Sequence, residues 1–154
     1  AAPVDTQGGG GGGEIAPVPP ATGAGTGTGG ISLCNAGGIT VNCAIQGQVQ
    51  SMVRAAANDG VRLSGGGYRD PAQQIALRRS HCGSSYYAIY QMPASSCRPP
   101  TARPGTSQHE IGLAIDFDNC SYGSQSHNWL RANAGRFGFR QLPSESWHWS
   151  TTGS

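Results

Sequence analysis

The chain has 154 residues and a formal net charge of +2, a length that fits one domain. All ten basic residues are arginine, so neither a phosphate-loop lysine nor a Schiff-base lysine is available. The arginines are scattered apart from Arg78–Arg79, which argues against a nucleic-acid partner, and no stretch approaches the ~20 apolar residues of a membrane span.

Residues 1 to 30 differ from the rest. They hold 11 glycines and four prolines, with an unbroken run from Gly8 to Gly13 and no aromatic residue. Such a segment buries too little apolar surface to offset its ordering entropy, so it reads as a flexible leader or linker. Residues 31 to 154 remain for a single folded domain. Ala1-Ala2-Pro3-Val4 lacks a charged and apolar export signal, so any such signal is expected to be absent from this sequence.

Apolar residues at Ile45, Val49, Met52, Val53 and Ala56 predict a helix over 44–59, stopped by Gly60. Val61-Arg62-Leu63 is a short strand signal running into Gly65-Gly66-Gly67. Three glycines there imply a sharp bend or a close backbone approach. Asp70-Pro71 reads as an N-cap and first helical residue, with the helix reaching about Ser80. Residues 83–107 are rich in Ser, Pro and Gly and read as a long loop, with Tyr86, Tyr87 and Tyr90 lining a groove or anchoring the loop. Residues 112–117 predict a strand ending near Asp116, and residues 126–134 a helix closed at Gly135. Phe137-Gly138-Phe139 and Trp147-His148-Trp149 alternate as two more strands. With no βαβ rhythm, the class is α+β.

Five cysteines, Cys34, Cys43, Cys82, Cys97 and Cys120, include no CxxC pair. Disulfides formed in an oxidising compartment are the better reading. The simplest pairing joins Cys34 to Cys43 and Cys82 to Cys97, the second clipping the long loop. Cys120 is then a free, partly buried thiol, with a nucleophilic role as the alternative.

Two segments carry chemistry: Ser107-Gln108-His109-Glu110-Ile111-Gly112-Leu113-Ala114-Ile115-Asp116 and Glu145-Ser146-Trp147-His148. A catalytic zinc takes three protein ligands and leaves one position for water, and two histidines with one carboxylate form a common set. Alternation along a strand sends Trp147 and Trp149 into the core and His148 into the cleft. Glu145, three residues earlier, must then leave the regular strand to face the same water. Taken singly, each of these residues is as well explained by packing or a surface hydrogen bond.

Together, Ser-x-His-x-x-Gly-x-Ala-x-Asp and Glu-x-Trp-His resemble the zinc D,D-carboxypeptidases that trim bacterial peptidoglycan stems, the VanY-like family. Gly66-Gly67-Tyr68-Arg69 with Gln74 resembles that family's substrate-side motif, and the likeness spans roughly residues 44–150. The resemblance implies a small α+β domain whose antiparallel sheet carries one zinc ion on His109, Asp116 and His148. It implies Glu145 as the general base and Arg69 as a contact to the terminal carboxylate or the scissile carbonyl, with Gln74 and Ser107 as lesser substrate contacts.

Related enzymes include L,D-carboxypeptidases and endopeptidases, and a non-catalytic wall-binding zinc module is the competing class. Glu145, unnecessary to a structural site, favours the enzyme. Lysostaphin-like endopeptidases end in His-x-His with a shorter His-to-Asp spacing, so they are set aside. A secreted or wall-associated monomer acting on peptidoglycan peptides is the expectation. His81 and His127 are assigned to the surface and Glu110 to solvent. Asp118 is read as a solvated strand end rather than a support for a ligand.

Overall fold

A computed structural model describes residues 25–26 and 30–154; most of the Gly/Pro-rich leader lies outside the described residues. The fold is α+β. Its elements are β1 (Gly25–Thr26), β2 (Ser32–Ala36), β3 (Ile39–Asn42), α1 (Gln46–Asn58), β4 (Gly65–Gly66), α2 (Pro71–Cys82) and α3 (Tyr86–Tyr90), then β5 (Ala114–Phe117), α4 (Gln125–Asn133), β6 (Arg140–Gln141) and β7 (His148–Ser150). Two antiparallel sheets form, one in the order β1-β2-β3 and one in the order β4-β5-β7-β6.

The predicted helices form where their signals lie. In α1, Val49, Met52 and Ala56 are buried at helical spacing, and the chain leaves through Gly60 at φ +79°. At the start of α2 the Asp70 side chain accepts from Gln73 N, and the Gln73 side chain accepts from Asp70 N at 2.9 Å. This reciprocal cap satisfies two donors that the first helical turn leaves over. The core is a single cluster in which Val41, Val49, Met52, Ile115, Leu130, Phe139 and Trp149 pack between α1, α4 and the strands.

Several expectations need correction. Val61 and Leu63 are buried but make no strand; only Gly65–Gly66 pairs, with Phe117 and Asp116. Phe137 closes a 3-10 turn after α4, and the strand begins later, at Arg140. The segment 83–107 is not structureless. Ser85 caps the short helix α3, which buries Ala88 and Ile89.

The organiser of that segment is Arg78, fully buried in α2. Its guanidinium donates to the carbonyl oxygens of Ile89, Ala88, Met92 and Thr101, and lies 3.3 Å from Cys97 Sγ. The charge is dispersed over backbone dipoles rather than paired with a carboxylate. The disulfide Cys82–Cys97 closes the same segment, and Cys34–Cys43 ties β2 to the end of β3. Cys120 is free and buried, and burial pushes its thiol up to about 12.

Two outcomes follow. A thiol reagent at pH 8 should label no cysteine in the folded protein and one after denaturation without reductant; labelling of the native state would contradict the burial of Cys120. Arg78→Met leaves four carbonyl oxygens without a donor, so urea unfolding of the oxidised protein should show a loss of more than about 3 kcal/mol.

Candidate metal centre

The loop before β5 begins at Ser107, whose Oγ accepts from His109 N and caps a single 3-10 turn over Gln108–Ile111. That turn ends at Gly112, which is left-handed at φ +71°. A side chain there would also collide with Asn42, whose N–H donates to Gly112 O at 2.9 Å. The glycine thus lets β3 seat the loop while the chain turns into the strand that delivers Asp116.

His109, Asp116 and His148 meet in the interior, with their ligand-type atoms within 4.8 Å of one another. Register explains two of the three, since Asp116 pairs directly with His148 across β5 and β7. Each imidazole is oriented by a backbone carbonyl at its far nitrogen. His109 Nδ1 lies 2.7 Å from Gly67 O, and His148 Nε2 lies 3.0 Å from Ser154 O. A carbonyl oxygen only accepts, so the proton sits on those nitrogens. The other nitrogen of each neutral ring then presents a lone pair. Both lone pairs face Asp116 Oδ1, at 3.1 Å from His109 Nε2 and 3.0 Å from His148 Nδ1.

Three electron-rich atoms converging in a dry site repel unless a cation sits among them. His109 Nε2 makes no aligned hydrogen bond despite its closeness to Asp116. A proton can serve at His148, where burial is outweighed by Asp116 and the ring's proton affinity is raised. At His109 burial wins and the affinity falls. Burial alone would raise Asp116, yet the two histidines hold it well below the usual carboxylate range. An anionic carboxylate with two imidazoles oriented from behind suits a divalent ion of zinc type.

Glu145 lies where the sequence required. The strand begins only at His148, and Glu145 sits in the turn before it, with Oε2 3.9 Å from His148 Nδ1. Burial, and then the charge of Asp116, raises its carboxyl from 4.5 to about 7. Three hydrogen bonds brace this turn: Tyr122 Oη donates to Pro143 O at 2.7 Å, while Cys120 Sγ and Trp149 Nε1 donate to Ser146 O. Arg69 Nη2 lies 3.3 Å from Asp116 Oδ2, and its Nη1 donates to Gln74 Oε1 at 3.0 Å. Gln74 in turn donates to Ala102 O, so it fixes Arg69 between α2 and the facing segment.

All seven predicted site residues line one cleft of about 480 Å³. Other positions differ from expectation. Trp149 enters the core, whereas Trp147 is only partly buried and lines the cleft. His127 is buried, with Nε2 2.9 Å from Gln141 Oε1. Glu110 turns inward, accepting from Gly105 N with both oxygens. His81 also lines the cleft; the signal for it was its place on one helix face with Gln74 and Leu77. Asp118 is exposed, as expected, and accepts from Ser64 Oγ.

A family model described as VanY, D-alanyl-D-alanine carboxypeptidase, matches residues 38–154. A curated D-alanyl-D-alanine carboxypeptidase of Enterococcus faecalis (strain ATCC 700802 / V583) is 29% identical over 133 residues, covering 75% of this chain and 50% of the relative. The chain therefore spans about half the length of that relative. A zinc-bound mutant of the vancomycin-resistance D,D-pentapeptidase VanY is 25% identical, covers 86% of this chain and 79% of its own, and superposes with a TM-score of 0.57. VanYB in complex with D-Alanine-D-Alanine is 26% identical, covering 88% of this chain and 80% of its own, with a TM-score of 0.58. The L,D-carboxypeptidase LdcB, 21% identical over 72% of this chain and 58% of its own, shares the fold with a TM-score of 0.53. The chain belongs to the VanY D-alanyl-D-alanine carboxypeptidase family.

Proposed function

We propose that this chain is a zinc peptidase that removes the terminal D-alanine from peptidoglycan stem peptides ending in D-Ala-D-Ala. The observation that carries the reading is the convergence of His109, Asp116 and His148 beside the buried Glu145, whose Oε2 lies 3.9 Å from His148 Nδ1. The zinc and the D-Alanine-D-Alanine bound by the two VanY relatives support the ion and the substrate class.

In this reading His109 Nε2, His148 Nδ1 and an Asp116 oxygen hold the ion. Zinc, when bound, supplies Lewis acidity and makes water easier to deprotonate. Glu145 takes the proton of the attacking water and returns it to the leaving amine, and the positive charge of a bound ion would favour the ionised form that this base needs. Arg69 presents a planar guanidinium to the terminal carboxylate or to the carbonyl oxygen that gains charge. Gln74 holds that guanidinium in plane and Ser107 holds the His109 turn; both also border the bound peptide. Arg69 begins in contact with Asp116, so its charge is already directed at the reacting centre before substrate arrives.

Residues 31–154 constitute the peptidase domain, to which the paired strand Gly25–Thr26 adds an edge, and the rest of residues 1–30 serves as a leader or linker. The two disulfides support an extracytoplasmic location, and the domain acts as a monomer on wall peptides. Among the described residues, no helix is long and apolar enough to cross a membrane.

Chelation should abolish release of D-alanine from a D-Ala-D-Ala peptide, and added zinc should restore it. Glu145→Ala should keep one zinc by metal analysis while kcat falls about 10²- to 10⁴-fold; a fully active variant would remove Glu145 from the mechanism. Mass spectrometry of the products separates the reactions, since loss of a single D-alanine is the expected outcome and a longer fragment would indicate an endopeptidase.

The raised carboxyl of Glu145 also has a signature in the metal-free protein. Folding favours its protonated form, so the stability this gives is whole below pH 4.5 and is lost as pH rises through about 7. In the presence of chelator, Glu145→Gln should gain up to about 3 kcal/mol over the parent between pH 5 and pH 8. Unfolding curves at the two pH values measure the difference.

A further inference from the structure

Residues 83–97 carry a surface feature that the metal centre does not use. No residue from Gly83 to Cys97 is charged, and within this segment α3 turns three tyrosines outward. Tyr86, Tyr87 and Tyr90 are 69%, 54% and 39% exposed, whereas Ala88 and Ile89 on the same helix are buried. The outward face of a helix in water is ordinarily polar or charged, so a face made of aromatic rings calls for a ligand. Tyr90 stands at i+4 from Tyr86 and i+3 from Tyr87, which makes it a neighbour of both. The Tyr86 and Tyr90 ring centroids lie 4.8 Å apart with their planes tilted by 38°. None of the three rings lines the catalytic cleft.

The patch is fixed from below. Arg78 holds the carbonyl oxygens of Ala88 and Ile89, Ser85 Oγ accepts from Ala88 N, and the disulfide Cys82–Cys97 closes the segment. A tyrosine has two side-chain torsions to lose on binding, so this backbone presents a large contact area at small entropic cost. The exposed side chains that flank the rings in the chain, Ser84, Gln91, Ser95 and Ser96, are neutral groups that both donate and accept. Aromatic faces bordered by hydroxyls and amides fit a ligand with apolar faces and a hydroxyl-rich edge.

That description suits a sugar ring better than the other candidate occupants. A charged polymer finds no counter-charge in residues 83–97, and the segment exposes no Leu, Ile, Phe or Trp to enter a lipid layer. A tyrosine buries roughly 150–250 Å² when wholly covered, so three partly exposed ones fall short of the roughly 800 Å² that each partner buries in a stable dimer. A pyranose, in contrast, offers C–H faces to aromatic rings and hydroxyls to their rim. Position supports the same class. Ala94 and Ser95 line the cleft, and Ser95 is at most about 18 Å of chain from Tyr90. Under the reading proposed above, on which the choice of sugar rests, the stem peptide ends in the cleft and its other end is joined to an amino-sugar glycan. An extended stem of five residues spans about 16 Å, so one substrate molecule reaches both places. We propose that α3 is a carbohydrate-binding platform that stacks pyranose rings of an N-acetylated amino-sugar glycan on Tyr86 and Tyr90, docking the domain on the polymer that carries its substrate.

The test uses zinc-loaded protein and a tetramer of N-acetylglucosamine, which contains no peptide. The parent should bind it, with the ring signals of Tyr86 and Tyr90 shifting in NMR titration. Combining Tyr86→Ser with Tyr90→Ser should weaken binding by about tenfold, the size of two lost stacking contacts. Combining Tyr86→Phe with Tyr90→Phe keeps the rings and should retain most of the affinity. The serine protein should release D-alanine from a soluble pentapeptide at the parent's kcat/KM, but from insoluble wall sacculi about fivefold more slowly. A parent that ignores the tetramer overturns the proposal, as does a serine protein that binds it like the parent or a phenylalanine protein that loses as much as the serine one. An unchanged rate on sacculi overturns the docking role. Tyrosine-dependent dimerisation in sedimentation, or tyrosine-dependent binding to phosphatidylcholine vesicles, gives the face another occupant and also overturns it. If the parent binds the tetramer through these rings yet releases no D-alanine, the peptidase reading fails and the platform stands.

Discussion

The site depends on how two imidazoles are held from behind. Gly67 O and Ser154 O each take the proton of one far nitrogen, and that choice fixes which nitrogen of each ring faces Asp116. Both carbonyls have to be rigid for this to work. Gly67 sits next to the β4–β5 pairing, and a side chain there would strike Thr40 of β3. Tyr68 N donates to Thr40 O, and Arg69 N donates to His109 O. Ser154 is held by the Ser150 hydroxyl, which also accepts from the amides of Thr152, Gly153 and Ser154. The two sheets and the last turn therefore converge on a tautomer choice at two rings.

The same logic of fixing a polar group by its neighbours recurs around Glu145 and Arg69. The Glu145 turn is pinned through Pro143 O and Ser146 O, one bond from Tyr122 and two from Cys120 and Trp149. Arg69 is pinned through Gln74 to the backbone of Ala102. Low dielectric around these groups makes each contact strong and each missing partner costly.

The sequence displayed the candidate site more completely than the architecture. The clustering of His109, Asp116, His148 and Glu145 was legible because the proposed three-ligand ion with a base needs those residue types, and because their spacing follows a family pattern. The demand that Glu145 leave the strand followed from alternation alone, and the strand does begin after it. The near-neighbour disulfides and the capped start of α2 were legible for local reasons. The β2–β3 hairpin was missed although Gly37-Gly38 between two apolar runs is a hairpin signal. The burial of His127 and Glu110 left no local trace, because each is satisfied by a partner delivered through folding, Gln141 and the Gly105 amide. Likewise, nothing local to Arg78 announces that its guanidinium gathers four carbonyls and makes an ordered wall of a Ser/Pro/Gly-rich segment.

That wall has a thermodynamic consequence for recognition. A loop that first orders on binding subtracts its conformational entropy from affinity, residue by residue. Here a covalent link and an interior cation have already met that requirement during folding, so this side of the cleft is in shape beforehand. Affinity for an extended peptide should then track the rigidity of the ligand rather than that of the protein.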